Sequence, residues 1–278
     1  TMQTEEPSTQ GGEDLAIVVE APPASTGTIG ATSAEFKAVL EAVLVLTSTH
    51  VLCHRRGHVT VIAALPGRSV LLGRRTATFA ALRDRIVQTL AAALAGEQLL
   101  SPVATASAMG RALCAISKRR TSGQKGPSKR SPSSDARLVV FKLAPDEPRH
   151  YNAVMNCVFA AQRLGVAVDA CVLTPTASVL AKQAAHLTEG VLLHFAQTGS
   201  LAQWSADLAV HVVSVFAPSA ACRRSLRTPL LEETDFRAAC FCHDPPRVKD
   251  RGYVCTVCFA VYCDPDTRCH CTAGWDDP

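Results

Sequence analysis

Seven of the twelve cysteines fall in the last forty residues. They read Cys240-Phe-Cys242-His243, then Cys255-Thr-Val-Cys258, Cys263 and Cys269-His270-Cys271. Two thiolates separated by one or two residues in a tight turn can both reach a tetrahedral ion at about 2.3 Å, so this spacing predicts structural zinc. Such sites are closed, with four protein ligands each. Cys240, Cys242, Cys255, Cys258, Cys263, Cys269 and Cys271, joined by one of His243, His270 or Asp266, supply eight ligands, enough for two ions in crossed sets. A single ion on Cys240, Cys242, Cys255 and Cys258 would leave the other three cysteines spare. One or two Zn²⁺ are therefore expected. Large apolar residues in the segment are few: Phe241, Tyr253, Val254, Val257, Phe259 and Tyr262. Metal binding would then supply folding free energy on the order of 10 kcal/mol.

The remaining thiols (Cys53, Cys114, Cys157, Cys171, Cys222) are scattered. The stretch Thr1 to Asp14 is polar and acidic, with neither a basic start nor an apolar run, so no secretory signal is expected. Reduced thiols in cytosol or nucleus follow. No uninterrupted apolar run approaches the roughly 20 residues that span a bilayer, so no membrane partner is expected. The net charge, 28 − 24 = +4, is mild. Few aromatics sit beside basic residues, which argues against a base-stacking nucleic-acid surface.

Elements that must position these residues follow from periodicity. Leu15 to Val19 is a continuous apolar run, as in a strand buried on both faces. Ser33 is a candidate N-cap for a helix to His50 that aligns Phe36, Val39, Leu40, Val43 and Leu46. Val59–Ala63 and Ser69–Leu72 flank Pro66-Gly67 as a hairpin. Helices are expected over Thr78–Ala95 and Ser107–Ile116. Strands are expected at Arg137–Leu143, Val166–Leu173 and Val191–Phe195, alternating with helices at Tyr151–Leu164, Ser178–Leu187 and Ser200–Phe216, with Gly190 as a C-cap. This alternation predicts an α/β fold: a doubly wound, mostly parallel sheet of Rossmann type with an antiparallel edge strand and a small C-terminal zinc-binding module. The expected organisation is a disordered leader over 1–13, the α/β domain over 14–217, a linker over 218–234 and the zinc module over 235–273. Residues 118–134, with six basic residues and almost nothing apolar, read as a flexible insertion in that domain. Its Lys118-Arg-Arg120 … Lys129-Arg130 run fits an import signal, a phosphate-contacting arm or a solvated loop.

Open sheets bind ligands at the carboxyl ends of their strands, which singles out the loop after the first strand. Glu20-Ala-Pro-Pro-Ala-Ser25 places prolines where a phosphate cradle needs glycines. The metal site of von Willebrand A domains places Asp-x-Ser-x-Ser there; Glu20, Pro22 and Ala24 keep one carboxylate and neither hydroxyl. Mg²⁺ is not expected. Asp146 and Glu147, after a central strand, are expected to be surface acids. Cys171, in an apolar strand without an activating base, is expected to be core rather than nucleophile. His50, Cys53, His54 and His58 straddle a helix end and a strand start, where they do not converge on a metal.

Asp235-Phe-Arg-Ala-Ala-Cys-Phe-Cys-His243 followed by Gly252-Tyr-Val-Cys-Thr-Val-Cys258 resembles the thirty-four-kilodalton von Willebrand A subunit family of general transcription factor IIH, Tfb-four in yeast. Asn152 to Gln162, Val168 to Leu173 and the Leu113-Cys114 helix resemble it as well. The spacing Cys269-x-Cys271 departs from the two-residue gap of that family. The resemblance implies a non-catalytic nuclear scaffold subunit in transcription and nucleotide excision repair. Its implied partners are a larger TFIIH core subunit with its own von Willebrand A and zinc modules, and the other core subunits. A RING-like ubiquitin ligase, or a metal-dependent ligand-binding von Willebrand A protein, are the alternatives.

Overall fold

Seven consecutive buried residues form β1 (Asp14–Glu20), the centre of a six-stranded sheet. The computed structural model describes residues 13–23, 29–54, 57–74, 79–94, 102–122, 135–147, 150–223, 225–226, 239–240, 242–243, 247–249, 251–257 and 259–264. β1 pairs in parallel with β2 (Val59–Leu65) on one side and with β4 (Ala136–Lys142) on the other. β5 (Ala167–Val172) and β6 (Leu192–His194) continue the parallel set, and β3 (Arg68–Arg74) lies antiparallel on β2. The order β3-β2-β1-β4-β5-β6 is the doubly wound arrangement expected from the alternating pattern.

The two-residue period of β1 divides the core. Leu15, Ile17 and Val19 face α1 (Ala34–Cys53), α2 (Phe79–Leu94) and α6 (Leu201–Phe216). Ala16 and Val18 face α3 (Thr105–Ser122), α4 (Tyr151–Leu164) and α5 (Val179–Leu187). Ser33 caps α1 as expected, accepting the Phe36 N–H at 3.1 Å. By length and composition α1 is long and apolar enough to cross a bilayer, although Glu35, Lys37 and Glu41 interrupt its apolar residues. Its Phe36, Val39, Val43 and Leu46 are instead packed in the sheet core.

Three boundaries move. α3 begins at Thr105 and runs through Ser122, so the first five residues of the expected insertion are helical. Arg119 binds Asp14 Oδ2 at 3.1 Å and Thr60 Oγ1 at 3.2 Å, and Arg120 donates to the Leu164 carbonyl. Both sit in the last turn, where the helix dipole favours cations. Residues 123–134 lie outside the described residues. Glu13, assigned to the leader, is buried and ion-paired with Arg137. The expected linker opens with α7 (Ala220–Arg223), whose Arg223 grips both oxygens of buried Asp169 at 2.8 and 2.7 Å.

Gly190 is not a left-handed cap. α5 ends at Leu187 with Thr188 as its C-cap, and Glu189 takes the positive φ of 56° while the Gly190 N–H reaches the Ala185 carbonyl at 2.7 Å. Gly190 is required because a Cβ there would stand 2.0 Å from the Val168 carbonyl oxygen. Gly190→Ala is therefore expected to destabilise the chain by about 1–3 kcal/mol or more, read as a lowered urea midpoint.

The C-terminal part forms a second sheet of two-residue strands: β7 (Ala239–Cys240), β8 (Arg247–Val248), β9 (Tyr253–Val254) and β10 (Val261–Tyr262). Its order is β8-β7-β10-β9. The apolar cluster within it is Ala260 and Tyr262, with Cys242 and Cys255 against them.

Candidate metal centre

Parallel pairing of β10 with β7 sets Val261 opposite Cys240, and the chain leaving β10 brings Cys263 beside that thiol. The Cys263 Sγ lies 3.0 Å from the Cys240 Sγ, and the Cys263 N–H donates to the Cys242 Sγ at 3.0 Å. Ligand atoms of Cys240, Cys242 and Cys263 all lie within 4.8 Å of one another, the one such metal-ligating group among the described residues. The Cys263 thiol donates to Cys240, and that bond, with burial adding to it, pushes Cys263 up to about 11. Burial pushes the Cys240 thiol up as well, but hydrogen bonds from Cys263, from the backbone at Cys242 and Arg247 and from the Cys242 thiol bring it below its ordinary value. A thiophilic ion bound here would take the place of this sulfur–sulfur contact. Three convergent sulfurs, one of them already accepting a backbone N–H, suit Zn²⁺.

Cys255 stands outside that group. Its N–H donates to the Ala260 carbonyl at 2.9 Å, its carbonyl accepts the Phe259 N–H at 2.9 Å, and its Sγ accepts the Val257 N–H at 3.4 Å. Phe259, at φ 60°, closes this turn in the left-handed region. Cys258, Cys269 and Cys271, with the alternative ligands Asp266 and His270, lie outside the described residues. The proximity of Cys240 to Cys263 has no local sequence signal, since it depends on parallel pairing of two very short strands.

At the carboxyl ends of the large sheet the chain supplies its own cation. Glu20 is fully buried at the end of β1. Its Oε2 accepts the Leu143 and Ala144 N–H groups at 2.9 Å each, and its Oε1 accepts the Thr105 hydroxyl at 2.6 Å. The Lys142 Nζ lies 3.3 Å from Glu20 Oε1 and 3.5 Å from Asp146 Oδ1, and donates to the carbonyls of Ala144 at 2.6 Å and Pro145 at 3.2 Å. Burial lowers the Lys142 pKa, but Glu20 and then Asp146 outweigh it and hold the ammonium above its ordinary value. Asp146 is no surface acid. It accepts the Ser178 hydroxyl at 2.8 Å and the Leu180 N–H at 3.1 Å, capping the start of α5. Beneath this ion cluster lies a cavity of about 50 Å³ lined by Val103, Met109, Val140, Val168 and Leu180. Sequence reasoning missed Lys142. The available signal was a lysine flanked by Phe141 and Leu143 in an otherwise apolar strand.

The other candidates are structural. The His50 Nε2 meets the Glu13 carbonyl at 3.0 Å, His54 lies 3.5 Å from the Glu13 carboxylate and His58 3.4 Å from Asp14. The three histidines thus bind the start of β1 rather than a shared ion. Cys171 is fully buried, and burial drives its thiol far above the ordinary range, which suits a core residue.

Known proteins agree with this architecture. The chain matches the family described as "Transcription factor Tfb4" over residues 75–273. "General transcription factor IIH subunit 3" of Dictyostelium discoideum is 34% identical over 163 residues, 59% of this chain and 39% of that protein. "General transcription and DNA repair factor IIH subunit TFB4" of Arabidopsis thaliana is 33% identical over 161 residues, 58% of this chain and 48% of that protein. The matched region therefore spans less than half the length of either relative. A crystal structure of the TFIIH p34 N-terminal domain superposes with a TM-score of 0.60 at 18% identity, covering 73% of this chain and 98% of that one, which shows a shared von Willebrand A-like fold. With the family match extending over most of its length, the chain belongs to the Tfb4 transcription factor family.

Proposed function

We propose that the chain is a non-catalytic structural subunit of a nuclear TFIIH core complex, acting in RNA polymerase II transcription initiation and nucleotide excision repair. Its contacts would run to the larger core subunit with von Willebrand A and zinc modules, and through it to the rest of the core. The observation that carries this reading is Lys142. Folds of this kind bind ligands at the carboxyl ends of the strands, and here that position is closed by the chain's own ammonium between Glu20 and Asp146. Such an arrangement favours a surface of fixed shape over a site that exchanges ligand. The same closure supports the expectation of no Mg²⁺ site, so calorimetric titration with Mg²⁺ is expected to give no saturable heat. Zn²⁺ is proposed at the C-terminal cysteines, where it would hold the small sheet in shape.

Affinity purification of the chain from nuclear extract, followed by mass spectrometry, is expected to recover other TFIIH core subunits. Recovery of none would overturn the assignment. A ubiquitin ligase reading draws on exposed Val257 and Phe259 beside the cysteine turn. Robust chain formation in an autoubiquitination assay would favour it over the scaffold.

A further inference from the structure

We propose that the amino end of the large sheet carries a binding pocket for a glutamine side chain of a partner protein, held by Arg137 and Arg223. This adds a contact to the platform reading above and rests on it for the kind of ligand, a protein segment.

The pocket opens where β4, β5 and β6 begin, at the end of the sheet away from Lys142. It holds about 560 Å³ and is lined by Arg137, Gln162, Thr188, Glu189, Val191 and Arg223. That volume falls within the range of about 300–1,000 Å³ typical of ligand sites. The two arginine side chains are only 1% and 10% exposed. Arg137 donates through Nε to Glu13 and through Nη1 to the Phe216 carbonyl at 2.9 Å. Arg223 directs Nη1 and Nη2 at Asp169. The Arg137 Nη2 and the Arg223 Nε are left without a hydrogen-bond partner among the described residues. Buried donors are seldom left so, because the lost hydration is then not replaced. Two of them on the wall of one pocket call for an acceptor brought in from outside.

Electrostatics decide what kind of acceptor. The two guanidiniums are already balanced by Glu13 and Asp169, both buried against them. Glu189 adds an exposed carboxylate to the wall. α4 and α5 end there as well, at Gly165 and Thr188, and helix C-termini carry partial negative charge. A phosphate or carboxylate would therefore give up its hydration with no free counter-charge to meet it. The group that fits is neutral, accepts from the guanidiniums and donates toward Glu189 and the helix ends. A carboxamide does both, with one acceptor oxygen and two N–H donors. Because the arginine donors are recessed, glutamine reaches them better than the shorter asparagine. A water would serve one donor, but the pocket far exceeds the roughly 30 Å³ of a water. Leu187 and Val191 give it apolar wall for the methylenes that carry the carboxamide.

The test uses the full chain and follows the Arg223 Nε–H by NMR while capped tripeptides are titrated. Acetyl-Gly-Gln-Gly-amide is expected to shift that signal saturably. Its Ala and Glu counterparts and inorganic phosphate should bind about tenfold more weakly or worse, the worth of a hydrogen bond to a charged donor. Removing Arg137 or Arg223 would leave Asp169 short of a buried partner and risks unfolding the chain, so the pocket is blocked instead from exposed Gln162. Gln162→Trp should abolish the shift and otherwise keep the backbone spectrum of the unaltered chain. Equal binding of the Ala peptide would mean main-chain recognition, and tighter binding of the Glu peptide or phosphate an anion site. Either would overturn the glutamine assignment. No saturable shift with any probe, or a shift that persists in Gln162→Trp, would overturn the pocket altogether. With TFIIH subunits still recovered from nuclear extract, that failure would leave the platform reading standing.

Discussion

With Zn²⁺ on the C-terminal cysteines as proposed, chelation is expected to unfold the small four-stranded sheet while the six-stranded sheet stays intact. Among the described residues, the buried apolar cluster of the small sheet is Ala260 and Tyr262. Tyr253, Val254, Val257 and Phe259, most of its large apolar side chains, are more than half exposed. Strands of two residues cannot offset chain entropy of about 1–2 kcal/mol per ordered residue without a further source of stability. Structural zinc supplies roughly 10–16 kcal/mol in comparable small modules. The large sheet draws on separate cores above and below β1 and should not respond. A protease time course with and without chelator, with the cuts mapped by mass, measures this directly. New cuts should cluster after residue 239, and Cys240→Ser should reproduce them in the absence of chelator. Equal protection in both arms would remove metal from the fold. If the tail also meets the larger partner, Cys255→Ser or Cys258→Ser should weaken co-purification of that partner, and unchanged recovery would take the tail out of the interface.

The large fold was legible because its signals are local or periodic. The apolar run at Leu15–Val19 could only be a doubly buried strand, and Ser33, Ser178 and Ser200 each cap the helix that follows. Boundaries failed where a distant partner decides the local state. The basic end of α3 is ordered by Asp14 and the Leu164 carbonyl, and α7 is tied down by Asp169, residues far away in sequence. Glycine commonly ends helices, and Gly190 does close α5, its N–H on the Ala185 carbonyl at 2.7 Å; the left-handed φ falls on Glu189 instead, and the missing side chain clears the backbone of Val168. The metal centre was legible in residue type, because cysteine pairs betray themselves by spacing. Their grouping was not. Cys263 joins Cys240 only through the register of β10 on β7, which no periodicity encodes.

Lys142→Met is expected to destabilise the large domain by about 3–5 kcal/mol, since it leaves the Glu20 carboxylate fully buried without its charge partner. Methionine matches the lysine stem, so lost packing contributes little. The loss should be largest in the single variant. In the double variant Glu20→Gln, Lys142→Met the buried charge is gone. The Gln oxygen can still accept from the Leu143 and Ala144 N–H groups, so part of the stability should return. The pH dependence has a definite sign. The folded chain holds the Lys142 ammonium above its ordinary pKa, so it binds that proton more tightly than the unfolded chain does. The pair's contribution is therefore complete below the unfolded lysine value of about 10.4, and drains away as pH rises through the higher folded value. Denaturant midpoints should show this contribution unchanged from neutral pH to about 10 and falling beyond it, with that alkaline component absent from Lys142→Met. A penalty below about 1 kcal/mol at neutral pH would mean that water solvates Glu20 after all. The carboxyl end of the sheet would then be open to exchanging ligands, and the reading of this domain as a fixed platform would lose its physical basis.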